Sequence, residues 1–200
     1  MPTLSFWYDL ASTYAYISAM RIERQAAGAG VEIAWKPFLL GPIFKAQGWE
    51  TSPFNLYPAK GRYMFTDVQR LAAREGLTFV LQPGDEGFPQ NTVYANRVAL
   101  IAAQEGWAPA FTKAAFTAQF ADRANLADPA VLGALVTGAG QDASRVAALA
   151  AAQDTKDALR AQTEAAAQTG IFGAPTFITQ DGALYWGDDR LAMALEASTS

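Results

Sequence analysis

The pattern of apolar and polar positions predicts a β-α-β unit at the start of the chain. Residues 3–8 alternate as a strand does and carry aromatic side chains that favour β structure. Residues 9–13 break the alternation and supply hydroxyls that can cap a helix, which we expect over about residues 14–27 before a glycine cluster. Residues 31–38 follow as a second strand, and a crossover of this length indicates that the two strands are parallel.

The middle of the chain is predicted to be helical after one irregular stretch. Over residues 39–57 the periodicity is lost and glycine and proline recur, which predicts a long loop near a functional site. A helix is expected to start at residues 58–60 and to end near Gly76. Three further amphipathic helices are marked by apolar residues near Val98, near Phe116 and over residues 131–136.

The last part of the chain changes from helix to short strands. The alanine-rich residues 153–168 are strong helix formers. Residues 174–179 and 183–186 then predict two strands around an Asp-Gly turn, which is a good hairpin signal. A final helix is expected to begin at Asp188 and Asp189.

Composition restricts the chemistry, because the chain contains neither cysteine nor histidine. Disulfides, cysteine nucleophiles, histidine bases and Cys/His zinc sites are therefore excluded, and no metal-ligand pattern is visible. Catalysis has to use hydroxyls, carboxylates, lysine, arginine, tyrosine, backbone N–H groups or a group that a ligand supplies. A thiol, if one takes part, must come from a bound molecule.

Charge and hydropathy narrow the expected partners. The chain has 15 basic and 19 acidic residues and no basic run, so we expect no nucleic-acid partner. No apolar run is long enough to span a bilayer, and the first residues lack the features of a secretory signal. These patterns predict a cytoplasmic enzyme or binding protein with no membrane partner.

The order of elements and three groups of residues resemble those of one known enzyme family. Residues 6–16 are similar to the first strand and active-site turn of that family. Residues 39–46 and 58–64 resemble the loop and helix start that follow its second strand. Residues 170–177 and 186–191, which include Gly-Ala-Pro-Thr-Phe and Trp-Gly-Asp-Asp-Arg-Leu, resemble its C-terminal signature. The family that these residues resemble is that of the 2-hydroxychromene-2-carboxylate isomerases, and the resemblance spans nearly the whole chain.

The resemblance implies the fold class and the domain organisation. It implies an α/β, thioredoxin-like fold with an inserted all-helical subdomain, as in DsbA-like proteins and kappa-class glutathione transferases. Residues 1–57 and 170–200 would form the thioredoxin-like domain. Residues 58–169 would form the helical insertion, including its connecting helix. Relatives of this kind also imply a homodimer.

Two positions carry the expected chemistry. Ser12 precedes the first helix, and from the sequence alone it would be an ordinary N-cap. The resemblance implies that its hydroxyl hydrogen-bonds the sulfur of glutathione, and the positive end of the helix also favours a thiolate. The resemblance further implies a cis bond between Ala174 and Pro175, which would let the Ala174 main chain pair with the cysteinyl unit. A trans turn proline is the alternative.

Four more positions are candidate glutathione contacts under the resemblance. Asp188 and Asp189 would hold the γ-glutamyl end, with Asp189 on its ammonium, although aspartates at a helix start also serve as caps. Lys60 would bind a carboxylate of glutathione or substrate, although most lysines are simply solvated. The family often has an asparagine where Trp49 and Glu50 stand here, and Asn55 is the candidate that replaces it.

The substrate is expected to be aromatic and anionic. Arg97 lies on a predicted helix and would bind a carboxylate in a bidentate manner, although an exposed helix face is the plainer interpretation. Aromatic residues would wall the pocket, although aromatics at this density more often belong to the core. The wall candidates are Trp7, Tyr8, Phe44 and Trp49, with Trp186 as a further one.

The resemblance implies a glutathione-dependent cis-trans isomerase of an unsaturated aromatic keto acid, of the kind used in bacterial breakdown of naphthalene-like compounds. Glutathione would be a cofactor that is regenerated. Two alternatives stay open at this point, namely a kappa-like transferase that releases the adduct and a noncatalytic module that binds glutathione. Disulfide exchange is excluded because the chain has no thiol.

Overall fold

The computed structural model describes residues 1–199, and its centre is a mixed sheet. The sheet consists of β1 (Thr3–Tyr8), β2 (Glu32–Pro37), β3 (Thr176–Ile178) and β4 (Leu184–Trp186). Within the described residues the strand order is β2-β1-β3-β4. β1 is parallel to β2 and antiparallel to β3, and β3 is antiparallel to β4. The predicted β-α-β unit and C-terminal hairpin are both confirmed.

Helices cover the sheet and fill the long connection between its two halves. The chain forms α1 (Thr13–Ala29), α2 (Leu40–Ala46), α3 (Pro53–Leu56), α4 (Pro58–Arg74), α5 (Val93–Glu105), α6 (Ala108–Phe120), α7 (Pro129–Gly138), α8 (Ala143–Ala151), α9 (Gln153–Gln168) and α10 (Leu191–Ser198), with a 3₁₀ turn at Asp188–Arg190 before α10. None of the helices within residues 1–199 is long and apolar enough to cross a membrane.

Alternation along β1 separates two hydrophobic clusters. Leu4, Phe6 and Tyr8 are completely buried on one face, where the ring of Phe6 stacks on those of Tyr8 and Phe177 at 5.0 and 5.6 Å. This face belongs to the large core that α1, α4, α5 and α6 share. Trp7, on the other face, packs against a smaller cluster that includes Phe38. Because both faces are covered, the end of β1 lies deep in the molecule.

The predicted loop over residues 39–57 is wrong, because α2 and α3 lie within it. Both helices are too short to show a hydrophobic period, and proline is tolerated in the first turn of each. The prediction also lacked α8 and placed the start of the last helix at Asp188, where the structure has the 3₁₀ turn instead.

The central helices pack directly on the sheet and its first helix. α5 contacts β2, and α6 contacts α1. The large core is continuous from the sheet into these helices. The division into a thioredoxin-like domain and an inserted helical subdomain at residues 58–169 stays a prediction.

Candidate active site

Ser12 lies in a tight turn between β1 and α1. Its backbone N–H donates to the Asp9 carbonyl at 2.9 Å, and its Oγ accepts the N–H of Ala15 at 3.2 Å as an N-cap. The same Oγ donates to the carbonyl oxygen of Ala174 at 3.0 Å. Ser12 is 8% exposed. The hydroxyl therefore sits at the positive end of α1, in contact with a backbone segment 162 residues away.

The segment that meets Ser12 precedes β3. The bond between Ala174 and Pro175 is cis, as the resemblance implied. The carbonyl of Pro175 accepts the N–H of Gly187 at 3.0 Å, which holds the segment to the turn after β4. Ala174 is half-buried, and its carbonyl lies beside Ser12. The structure thus brings Ser12, Ala174 and Pro175 together.

Asp9 is a buried polar residue of this turn that the sequence analysis missed. Its carboxylate is 3% exposed and accepts hydrogen bonds from Ala11, Leu40, Thr92 and Asn96. Its position directly after a predicted strand was visible in the sequence. Nothing local marked its partners on α2 and α5.

The two aspartates after β4 have different environments. Asp188 is 4% exposed; it accepts a hydrogen bond from Ser18 Oγ at 2.7 Å and forms an ion pair with Arg21 at 2.9 Å. Burial raises the pKa of Asp188 above its ordinary value, while Ser18 and Arg21 act in the opposite direction. The Asp189 side chain is 72% exposed and lies 3.0 Å from Arg190. Asp189 is therefore the accessible carboxylate of this turn.

Asn55 and Lys60 are exposed on α3 and at the start of α4. Asn55 Nδ2 donates to Thr51 Oγ1 at 3.0 Å, and the Lys60 ammonium lies 5.3 Å from the ring centre of Tyr57. Asn55 also lines a cavity of about 320 Å³ with residues of α4 and of the segment 83–88. Within residues 1–199 neither residue forms a hydrogen bond or an ion pair with the Ser12 turn, and their roles stay predictions.

The aromatic wall candidates fall into three environments. Tyr8 is completely buried, and its hydroxyl lies 2.8 Å from Thr112 Oγ1; burial raises the pKa of Tyr8. Trp7 is half-buried in the smaller cluster. Phe44 and Trp49 are half-buried with ring centres 5.6 Å apart. Because Tyr8 presents no surface, we leave it out of the proposed substrate pocket and keep Trp7, Phe44 and Trp49. The further candidate, Trp186, is 51% exposed, with its ring centre 4.9 Å from that of Phe172.

Arg97 is a cation on α5 without an ion pair to any of residues 1–199. Its Nε is buried without a hydrogen-bond partner, and the residue is half-buried. A half-buried guanidinium that lacks a partner is suited to an anionic ligand. No cluster of three His, Cys, Asp or Glu side chains within the described part of the chain could hold a metal ion.

The chain belongs to the DsbA-like thioredoxin domain family, whose model matches residues 3–198. It is 26% identical over 193 residues to a 2-hydroxychromene-2-carboxylate isomerase of Sphingobium xenophagum, covering 94% of each chain. It is 28% identical over 196 residues to an isomerase of the same name from Pseudomonas putida, covering 95% of this chain and 91% of that one.

Two further comparisons extend this relationship. The fold superimposes on a solved 2-hydroxychromene-2-carboxylate isomerase with a TM-score of 0.85 and 24% identity, over 98% of this chain and 93% of the other. A kappa 1 glutathione S-transferase of Caenorhabditis elegans is 33% identical over 73 residues, which are 36% of this chain and 31% of that protein. The α/β, thioredoxin-like fold and the resemblance to the isomerase family are thereby confirmed.

Proposed function

We propose that this protein is a glutathione-dependent cis-trans isomerase of an unsaturated aromatic keto acid, similar to the 2-hydroxychromene-2-carboxylate isomerases. The observation that carries the proposal is the contact between Ser12 Oγ and the Ala174 carbonyl at the N-terminus of α1. The nearly full-length likeness to two proteins of that name supports the reaction type. The partial likeness to a kappa glutathione transferase supports the choice of thiol.

The absence of cysteine makes a borrowed thiol necessary for this chemistry. Bound glutathione supplies a thiol that adds reversibly to a conjugated carbon, so that a double bond becomes rotatable until elimination restores both thiol and product. The protein's own task is to bind the tripeptide, to favour the thiolate and to orient the substrate. The residues around Ser12 fit these three tasks.

Ser12 and Ala174 are in position to exchange partners when a thiol peptide binds. The Ser12 hydroxyl now donates to the Ala174 carbonyl. Rotation of that hydroxyl toward the sulfur would give the thiolate a donor at the helix N-terminus. The released Ala174 carbonyl would then accept the cysteinyl N–H, in the manner of a peptide added to a strand. Pro175 holds this segment through its bond from Gly187.

Other residues would bind the ends of the tripeptide and the substrate. Asp189 is exposed and would bind the γ-glutamyl ammonium. Asp188, through its ion pair with Arg21, would hold the 3₁₀ turn that carries Asp189. Lys60 and Asn55 would bind a carboxylate. The remaining candidates, which would hold the aromatic acid, are Arg97 for its carboxylate and Trp7, Phe44 and Trp49 for its ring.

A kappa-like glutathione transferase is the second candidate function, because of the partial likeness to that protein. It would use the same Ser12 site but release the thiol adduct instead of eliminating it. Consumption of glutathione during turnover separates the two reactions, since an isomerase leaves the glutathione concentration unchanged.

Calorimetric titration tests the glutathione site directly. Wild-type protein, Ser12→Ala and the control Ser52→Ala are titrated with reduced glutathione and with S-methylglutathione at neutral pH. We expect the wild type and Ser52→Ala to prefer the free thiol about tenfold or more and Ser12→Ala to lose that preference, since a hydrogen bond to a charged group is worth about 1.5–3 kcal/mol. Absence of binding by the wild type would reject the glutathione mechanism, and binding without turnover of chromene carboxylates would leave a binding module.

A further inference from the structure

Asp9 is a buried carboxylate in the Ser12 turn that the proposed function does not use. It is 3% exposed, and none of the ion pairs formed within residues 1–199 includes it. Burial of a charge is strongly unfavourable unless donors replace the lost water. The surroundings of Asp9 therefore have to supply those donors.

Four donors meet the two oxygens of Asp9. Oδ1 accepts from the N–H of Ala11 at 3.0 Å, from Thr92 Oγ1 at 2.9 Å and from Asn96 Nδ2 at 2.8 Å. Oδ2 accepts from the N–H of Leu40 at 2.8 Å. The carboxylate is thus held from several directions at once.

These donors belong to the beginnings of three helices. Ala11 precedes the N-cap of α1, Leu40 is the first residue of α2, and Thr92 is the N-cap of α5. The Thr92 side chain makes no capping bond to α5; its hydroxyl donates to Asp9 and accepts from Asn96 Nδ2. The positive ends of helices favour a carboxylate, so Asp9 stays in place without a cationic side chain.

The backbone of the turn is bound to α5 and α6. The N–H of Leu10 donates to Asn96 Oδ1 at 3.4 Å, and the carbonyl of Leu10 accepts from Gln119 Nε2 at 3.1 Å. The N–H of Ser12 donates to the carbonyl of Asp9. The Asp9 side chain is therefore tied to α2 and α5, and the main chain of the turn to α5 and α6, although Ser12 itself caps α1.

We propose that Asp9 is a positioning residue that fixes the turn before α1 against α2 and α5, so that the Ser12 hydroxyl points at Ala174 and at the thiol that replaces it. This inference rests on the proposed glutathione site for its functional consequence. Through the same contacts Asp9 sets the distance from Ser12 to α2, which carries Phe44, and to α5, which carries Arg97.

The position of the Ser12 hydroxyl and the negative charge of Asp9 have opposite effects on a bound thiolate. The direction in which the thiol preference changes therefore tests the proposal. The negative charge of Asp9 by itself disfavours a thiolate nearby. Correct placement of the Ser12 hydroxyl favours the thiolate. A variant that removes the charge and loosens the turn therefore loses thiol preference if positioning dominates and gains it if charge dominates.

The test compares Asp9→Asn with Asp142→Asn, a matched change at the exposed N-cap of α8. Asparagine keeps the shape of the side chain but removes the charge and leaves one acceptor fewer for the four donors. We expect amide hydrogen exchange over residues 10–15 to accelerate about tenfold or more in Asp9→Asn, as local opening becomes easier. The preference for reduced glutathione over S-methylglutathione should fall about tenfold, with S-methylglutathione affinity changed less than about threefold. Asp142→Asn should change neither measurement.

Each outcome decides the inference. An unchanged or increased thiol preference in folded Asp9→Asn overturns the positioning role. If that variant does not fold, Thr92→Val removes a single donor to Asp9, and its thiol preference should fall about threefold; an unchanged preference again overturns the role. A wild type without thiol preference rejects the proposed function instead, and the exchange rates of the turn still show whether Asp9 anchors it.

Discussion

Asp9 and Asp188 are buried to the same degree, yet the fold stabilises their charges in two different ways. Asp9 is 3% exposed and is held by neutral donors at the starts of three helices. Asp188 is 4% exposed and depends on a cation, Arg21, with one further bond from Ser18. A carboxylate shared among several neutral donors therefore loses little when one is removed, whereas a carboxylate paired with one cation depends strongly on that cation.

The ion pair with Arg21 offsets only part of the cost of burying the Asp188 carboxylate. Burial raises the pKa of Asp188 despite the opposing effects of Ser18 and Arg21, so the pair does not fully replace the water lost on folding. Arg21 also reaches Glu75 at 3.6 Å, and its Nε is buried without a partner. The greatest sensitivity to mutation is therefore expected here.

Removal of Arg21 should cause the largest loss of stability. Arg21→Ala leaves Asp188 buried and unpaired, so we expect the free energy of unfolding at neutral pH to fall by about 3–5 kcal/mol. Urea denaturation measures this loss. The control Arg24→Ala removes an arginine whose side chain is 71% exposed and should cost less than about 1 kcal/mol.

The loss of stability in Arg21→Ala should depend on pH in a direction that the environment of Asp188 predicts. Without its cation, Asp188 has a folded-state pKa raised further above the unfolded value, so the folded state favours the neutral acid. Such a group destabilises the fold increasingly as pH rises from the unfolded pKa, about 3.9, to the raised folded-state pKa. Below the unfolded pKa this destabilisation disappears. The deficit relative to wild type should therefore shrink as pH is lowered toward 4. A deficit that grows in acid would contradict the pairing.

Removal of one Asp9 donor should have a smaller effect. Asn96→Ala takes away one of the four donors and leaves the N–H of Leu10 without its partner, so we expect a loss of about 1–3 kcal/mol. Gln104→Ala, an exposed change on the same helix, should stay within about 0.5 kcal/mol. A loss as large as that of Arg21→Ala would show that the donors do not share the charge.

Ser12→Ala should cost still less stability, although it abolishes the proposed thiol preference. The substitution removes the bond from the Ala15 N–H to Ser12 Oγ, a capping contact worth about 1 kcal/mol. Ser52→Ala is the matched control, because Ser52 is the N-cap of α3 without a side-chain capping bond. Thermal denaturation of both variants should show a lower midpoint for Ser12→Ala alone.

The smallest effect is expected at an ion pair on the surface. Hydrogen bonds from Arg145 and Trp107 lower the pKa of Glu105 from 4.5 to about 2. A lowered folded-state pKa stabilises the fold above the unfolded pKa, and this contribution is lost as pH falls from about 4.5 toward 2. Because the Glu105 side chain is 33% exposed, screening limits the contribution to less than about 1 kcal/mol. Glu105→Gln should flatten the pH dependence of stability in this range, and high salt should do the same to the wild type.

Much of the fold followed from local patterns. Alternation in β1, the hydroxyl cap before α1 and the alanine content of α9 act within a few residues, so the sequence predicted these elements well. The short helices α2 and α3 were missed. α2 is held by the burial of Ile43 and the bond from Leu40 to Asp9, and α3 by the stacking of Phe54 on Phe88, contacts that no local pattern contains.

Two features follow from the sequence alone: the chain has no thiol, and Ser12 follows the first strand at a helix start. The groups that surround that serine are set by tertiary contacts. Asp9 binds partners 31, 83 and 87 residues away, and Ser12 meets Ala174 across 162 residues. Such contacts form only after the core has brought distant segments together, because a hydrogen bond requires its atoms to lie about 3 Å apart whatever their separation in the chain.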